Sequence, residues 1–198
     1  IDILTSWGLK VVLAKNIYKS YHQFSGDDII RKDSLQELLD SKEIKAIFCA
    51  RGGYGTIRII DKLDFNTFTK YPKWIVGFSD ITILHSSLNI LKYCSIHSFM
   101  PINYDSVSKK NLKSLYTILF KGKNYIQCLS NSLNKTGLVK SELVGGNLSI
   151  LYSLLGSKSD ICTNNKILLI EDLDEYLYHL DRMITVSYTH LRAHETSE

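Results

Sequence analysis

Trp74-Ile75-Val76-Gly77-Phe78-Ser79-Asp80-Ile81-Thr82 is an apolar run that turns through Gly-x-Ser-Asp into residues repeating at helical spacing: Ile81, Leu84, Leu88 and Leu91. A strand feeding straight into a helix predicts an α/β unit with the Ser79 hydroxyl at the tip of the turn. The first N–H groups of such a helix are unpaired and lie at the positive end of its dipole. The turn has the form of a nucleophile elbow, with Ile81 where that motif ends in glycine. Serine is also a favoured N-cap, so this segment alone leaves catalysis and capping both open.

Working outward, the first hundred residues alternate between the two periods. Residues 1–7 read as the end of a helix closed by Gly8, Val11-Val12-Leu13 as a strand, and Asp27 to Asp40 as a helix with Ile30, Leu35, Leu38 and Leu39 inward. Lys45-Ala46-Ile47-Phe48-Cys49 reads as a buried strand leading into Arg51-Gly52-Gly53-Tyr54-Gly55 and a short helix from Thr56, and Ser95-Ile96-His97 as a further strand. Continuous apolar strands alternating with helices imply a parallel sheet covered on both faces. Such sheets hold ligands beyond the carboxyl ends of their strands, where Gly53 and Ser79 both fall.

Beyond residue 105 the pattern changes. Residues 106–121 predict a helix ending at Gly122, residues 125–129 and 137–144 predict strands, and Gly145-Gly146-Asn147 opens a helix carrying Leu148, Leu151 and Leu155. The strand Ile167 to Ile170 ends in Glu171-Asp172. The expected organisation is an N-terminal α/β domain over 1–105, a connecting helix over 106–122 and a partial C-terminal domain over 123–185. Residues 186–198 lose the apolar period and resemble translated read-through, a non-native tail; a genuine polar helix end is the alternative.

With 198 residues, 44% apolar and 22% charged, the chain can bury a real core. Its net charge of +4 is spread without a dense block, which gives no argument for nucleic acid. No apolar run reaches the length of a membrane span. The chain opens at Ile1 without an initiator Met, so a preceding signal stays open. Cys49, Cys94, Cys128 and Cys162 form no C-x-x-C pair, so neither metal nor cofactor is expected. Free buried thiols and a cytoplasmic location are the expectation.

The Gly52-Gly53 turn exposes bare N–H groups to an anion, yet lacks the Lys-Ser/Thr of a P-loop. Its alternative is a tight strand–helix connection. Arg51 could grip a carboxylate through its fork or sit in solvent. Glu171, at a strand end, suits the carboxylate that orients a histidine; the run Asp172, Asp174, Glu175 equally reads as solvated charge. No histidine is a convincing base. His85 is rotated about 240° from Ser79 around the helix, His22 and His179 lie beside tyrosines, His190 and His194 fall in the tail, and His97 could only line the pocket.

Three segments together resemble the serine LD-carboxypeptidases, the group that includes muramoyltetrapeptide carboxypeptidase and the microcin C self-immunity peptidases. They are Ala50 to Arg58, Pro72 to Thr82, and Gly145-Gly146-Asn147-Leu148 with Leu169-Ile170-Glu171-Asp172, continued by Glu175, Tyr178, Asp181, Arg182 and Met183. The resemblance implies an N-terminal flavodoxin/Rossmann-like parallel sheet with helices on both faces, and an incomplete C-terminal β-rich, barrel-like α+β domain. It implies a Ser-His-Glu hydrolase with Ser79 as nucleophile, Glu171 as the triad carboxylate, and the N–H groups of Gly53 and Asp80 as the oxyanion hole. Arg51 and Arg182 are candidates for the substrate carboxylate. The implied substrate is a murein tetrapeptide losing its terminal D-alanine in cell-wall recycling, and a homodimer stays open. The family's histidine lies beyond Met183 and its first strand before Ile1, so the chain is expected to be a fragment, inactive for want of the base. The alternatives are a microcin C-type immunity peptidase and a non-catalytic phosphate- or nucleotide-binding module.

Overall fold

The computed structural model describes residues 1–195. Three parallel strands form the first sheet, in the order β1 (Ala46–Phe48), β2 (Trp74–Gly77), β3 (Ile96–His97). The register sets Phe48 beside Val76 and Gly77 beside His97, so the turn after β2 emerges between the carboxyl ends of its neighbours.

Alternation along the strands divides the core between two faces. Ile47 and Ile75 pack with Leu39 of α2 (Asp28–Asp40), Phe68 of α3 (Asn66–Lys70), and Ile83, Leu84 and Leu88 of α4 (Thr82–Ile90). On the other face Val76 and Ile96 pack with Leu4 of α1 (Asp2–Ser6), Tyr104, and Leu115 of α5 (Lys109–Lys121). The doubly covered parallel sheet expected from the sequence is therefore present. Local signals act where the sequence put them: Asp27 caps α2 by accepting from Ile30 N, and Gly122 closes α5 at a φ of 65°.

A second parallel pair joins β4 (Leu143–Asn147) to β5 (Ile167–Glu171), with α6 (Leu148–Leu154) between them and α7 (Leu177–Glu195) following. Serines tie it to α4: Ser86 Oγ donates to Ser159 O at 2.5 Å, and Ser87 and Ser159 share a 3.0 Å hydroxyl contact.

Several sequence expectations are corrected. Residues 11–13 and 125–129 are not strands, because no described segment pairs with them; Val12 and Ile126 are exposed. Gly145 and Gly146 belong to β4 rather than opening a helix, and Asn147 is the true cap, accepting from Ile150 N. A Cβ at Gly145 would stand 1.9 Å from Leu169 O, so only glycine lets β5 approach. Helix α7 continues through residues 187–195, where the sequence showed no apolar period; 196–198 lie outside the described residues. Of the cysteines only Cys49 is drawn into the interior, and Cys94, Cys128 and Cys162 are exposed.

Candidate active site

Ser79 is the first residue of a short 3-10 turn that leads from β2 into α4. Its φ is 61°, a left-handed backbone that a non-glycine residue adopts at a conformational cost of about 1–3 kcal/mol. The cost is borne by the packing around it. Gly77 just upstream admits Ile81, whose side chain would lie 2.9 Å from a Cβ at that glycine. The strained strand-to-helix turn is the geometry that holds a nucleophile clear of its own backbone.

Ser79 faces the glycine loop. A Cβ at Gly52 would lie 3.1 Å from Ser79 Cβ and 3.2 Å from its Oγ, so this glycine lets the loop close on the serine. Gly53 has a φ of 128° and open space where a side chain would stand. Among the described residues its N–H donates to no backbone carbonyl. Asp80 has a part that sequence reasoning missed. Its buried carboxylate accepts from Thr56 N (2.9 Å) and Thr56 Oγ1 (2.7 Å), pinning the loop to the serine turn. The signal was a lone Asp after the serine, indistinguishable in sequence from a first-turn helix charge. Burial, with the Asp80 charge behind it, pushes the Cys49 thiol up to about 12, so it stays neutral.

Glu171 arrives from the second sheet. It lies opposite Asn147 in the β4–β5 ladder, and Asn147 N donates to Thr82 Oγ1 at 3.0 Å, three residues after Ser79. Glu171 Oε1 comes within 3.8 Å of His97 Nε2, at the end of β3. That is an approach rather than a hydrogen bond. Glu171 Oε1 and His97 Nδ1 are both buried with no hydrogen-bond partner among the described residues. Burial, then the neighbouring Asp172 charge, raises the Glu171 pKa, and burial lowers that of His97.

No described histidine hydrogen-bonds the Ser79 hydroxyl. His85 faces away, its Nε2 on Gly77 O (2.9 Å) and its Nδ1 on Ser95 Oγ (2.8 Å), and burial drops its pKa to about 4. His179 pairs with Glu175 at 2.9 Å, one helical turn away. Arg51 is exposed at the head of the glycine loop; Arg182 is exposed on α7, beside the buried Met183. The structure thus gathers Ser79, Gly53, Asp80 and Glu171 around one turn. No group of acidic, His or Cys side chains among the described residues could hold a metal ion, and no described helix is long and apolar enough to cross a membrane.

Comparisons with known proteins point to one family. Family models described as the LD-carboxypeptidase N-terminal and C-terminal domains match residues 1–98 and 140–193. A probable murein peptide carboxypeptidase of Bacillus subtilis is 37% identical over 188 residues, 91% of this chain and 59% of that protein. Among solved structures, a muramoyltetrapeptide carboxypeptidase from Oxalobacter formigenes superposes with a TM-score of 0.84 at 24% identity, covering 96% of this chain and 65% of the other. MccF in complex with glutamyl sulfamoyl guanosine superposes with a TM-score of 0.80 at 21% identity, covering 95% and 66%. At these identities the likeness is one of fold. The chain spans about three fifths of the length of the curated relatives it matches.

Proposed function

The chain belongs to the LD-carboxypeptidase family, and from that premise we propose that Ser79 is the nucleophile of a peptidase acting on murein tetrapeptides. The observation that carries this reading is the left-handed φ of Ser79 at the strand-to-helix turn, with Gly52 closed against its hydroxyl.

In the proposed reaction Ser79 Oγ attacks the carbonyl carbon of the amide preceding the terminal D-alanine. A base takes the hydroxyl proton as the C–O bond forms, and the oxyanion is held by the N–H groups of Gly53 and Asp80. Collapse of the tetrahedral species breaks the C–N bond, the base returns its proton to the leaving amine, and D-alanine departs. Water then resolves the acyl-enzyme by the same steps. Glu171 orients the base, a histidine. The unused, buried Glu171 Oε1 is the acceptor available to that imidazole. Arg51 at the mouth of the loop, or Arg182, receives the free carboxylate of the substrate. The role is cell-wall recycling in the cytoplasm, and the domain boundaries follow the sequence reading, 1–105, 106–122 and 123–185.

The test is turnover of two substrates by the whole protein. Release of D-alanine from a murein tetrapeptide, absent in residues 1–198 alone, supports the reading. Cleavage of an aminoacyl sulfamoyl nucleoside with no action on the tetrapeptide would replace it with the immunity-peptidase reading.

A further inference from the structure

The Arg51–Gly55 loop is gripped at its carboxyl end from two sides. Asp80 holds Thr56, as described above. On the opposite side Arg31 of α2 reaches in: its Nη1 donates to Gly55 O at 3.0 Å, and its Nη2 to Asp28 Oδ1 at 2.6 Å. Asp28 is shared, because Arg58 Nε, just past the loop, donates to both of its oxygens at 3.0 Å. Both guanidinium groups lie over the Phe24 ring, 4.9 and 5.4 Å from its centroid. The Arg31 side chain is only 13% exposed.

Glycine at position 55 is part of this arrangement. Its φ is 123°, and a Cβ there would lie 2.7 Å from Arg31 Nη1. The loop therefore uses one bare glycine to admit the guanidinium and leaves another, Gly53, in open space. With no side chain of its own to pack, Gly53 depends on the anchors at Gly55 and Thr56 that follow it.

The geometry points to Arg31 as a positioning residue: its fork, held by Asp28, fixes the Gly52–Gly55 loop and so aims the Gly53 N–H at the carbonyl oxygen attacked by Ser79. This rests on the oxyanion role proposed for Gly53. One group must bond a loop carbonyl and a helix carboxylate at once while stacking on Phe24. A planar guanidinium meets that demand and an ammonium does not.

The experiment compares Arg31→Gln, Arg31→Lys, Asp28→Asn and Ser79→Ala in the whole protein by kcat, KM and amide hydrogen exchange. Misplacing an oxyanion donor by a fraction of an ångström lowers kcat in Arg31→Gln by roughly tenfold to hundredfold, with KM within about twofold. Exchange of the Thr56 amide, which Asp80 protects, speeds up while the β2 amides stay protected. Arg31→Lys does not restore kcat, and Asp28→Asn moves both readouts the same way by less. Asp28→Asn alone carries the test if Arg31→Gln does not fold. Unchanged Thr56 exchange overturns the proposal, as does a wild-type kcat in Arg31→Gln when Ser79→Ala is inactive. If Ser79→Ala keeps the wild-type rate, the reading of the site and the catalytic part of this proposal fall together. Exchange then separates a purely structural clamp from none.

Discussion

Asn147 and Glu171 stand opposite each other in the β4–β5 ladder, and the backbone N–H of Asn147 donates to Thr82 Oγ1 at 3.0 Å. One hydrogen bond thus ties the strand pair that ends in Glu171 to the helix that starts at Ser79. Gly146 makes the approach possible, since a Cβ there would stand 2.5 Å from the same hydroxyl.

Thr82→Val keeps the shape and removes the acceptor, leaving a buried N–H unpaired. The expected loss is about 1–3 kcal/mol, read by urea unfolding. In the whole protein kcat falls with it, as Glu171 loses its register against the serine turn.

Much of this arrangement was legible in sequence because it is local. The run 74–82 specifies a strand, a turn and a helix in one stretch, and the glycine loop follows its strand directly. What was not legible is long-range. In sequence Arg31 carries no signal and Asp80 only the promise of its backbone N–H, although each side chain holds the loop from a different element. Gly145-Gly146 reads as a helix opening, because the closeness of Leu169 that demands those glycines comes from residues more than twenty positions away. Val11-Val12-Leu13 has strand composition, yet a strand exists only with a partner, and none of the described residues supplies one.

Lys73 was likewise invisible as a structural residue. It is buried, and its ammonium donates to Leu38 O, Leu39 O and Ser41 O at the carboxyl end of α2. Lys73→Met keeps the stem and strands those carbonyls, so a destabilisation of about 2–4 kcal/mol is expected in denaturant unfolding.

Glu171 carries a pKa raised chiefly by burial. A carboxyl whose folded pKa lies above its unfolded one contributes stability below the unfolded value and loses it as pH rises through the folded value. Glu171→Gln is therefore expected to raise the urea midpoint at about pH 7 and to give no gain at about pH 4. Activity is lost at either pH.

His85 acts with the opposite sign. Its pKa falls from 6.5 to about 4 on folding, so the unfolded chain binds the extra proton between those values. Its stabilising contribution is complete above pH 6.5 and lost as pH falls toward about 4. Unfolding free energy followed across that window should decline, and His85→Gln should remove most of the slope that His85 contributes.

The central claim is that the strained serine is the nucleophile. The most direct measurement is to treat the whole protein with a fluorophosphonate and map the adduct by mass spectrometry, alongside the tetrapeptide turnover of Ser79→Ala. The expected result is a single adduct on Ser79 and a kcat lowered by roughly a thousandfold or more in the variant. An adduct on another residue, or wild-type turnover by Ser79→Ala, would contradict the account.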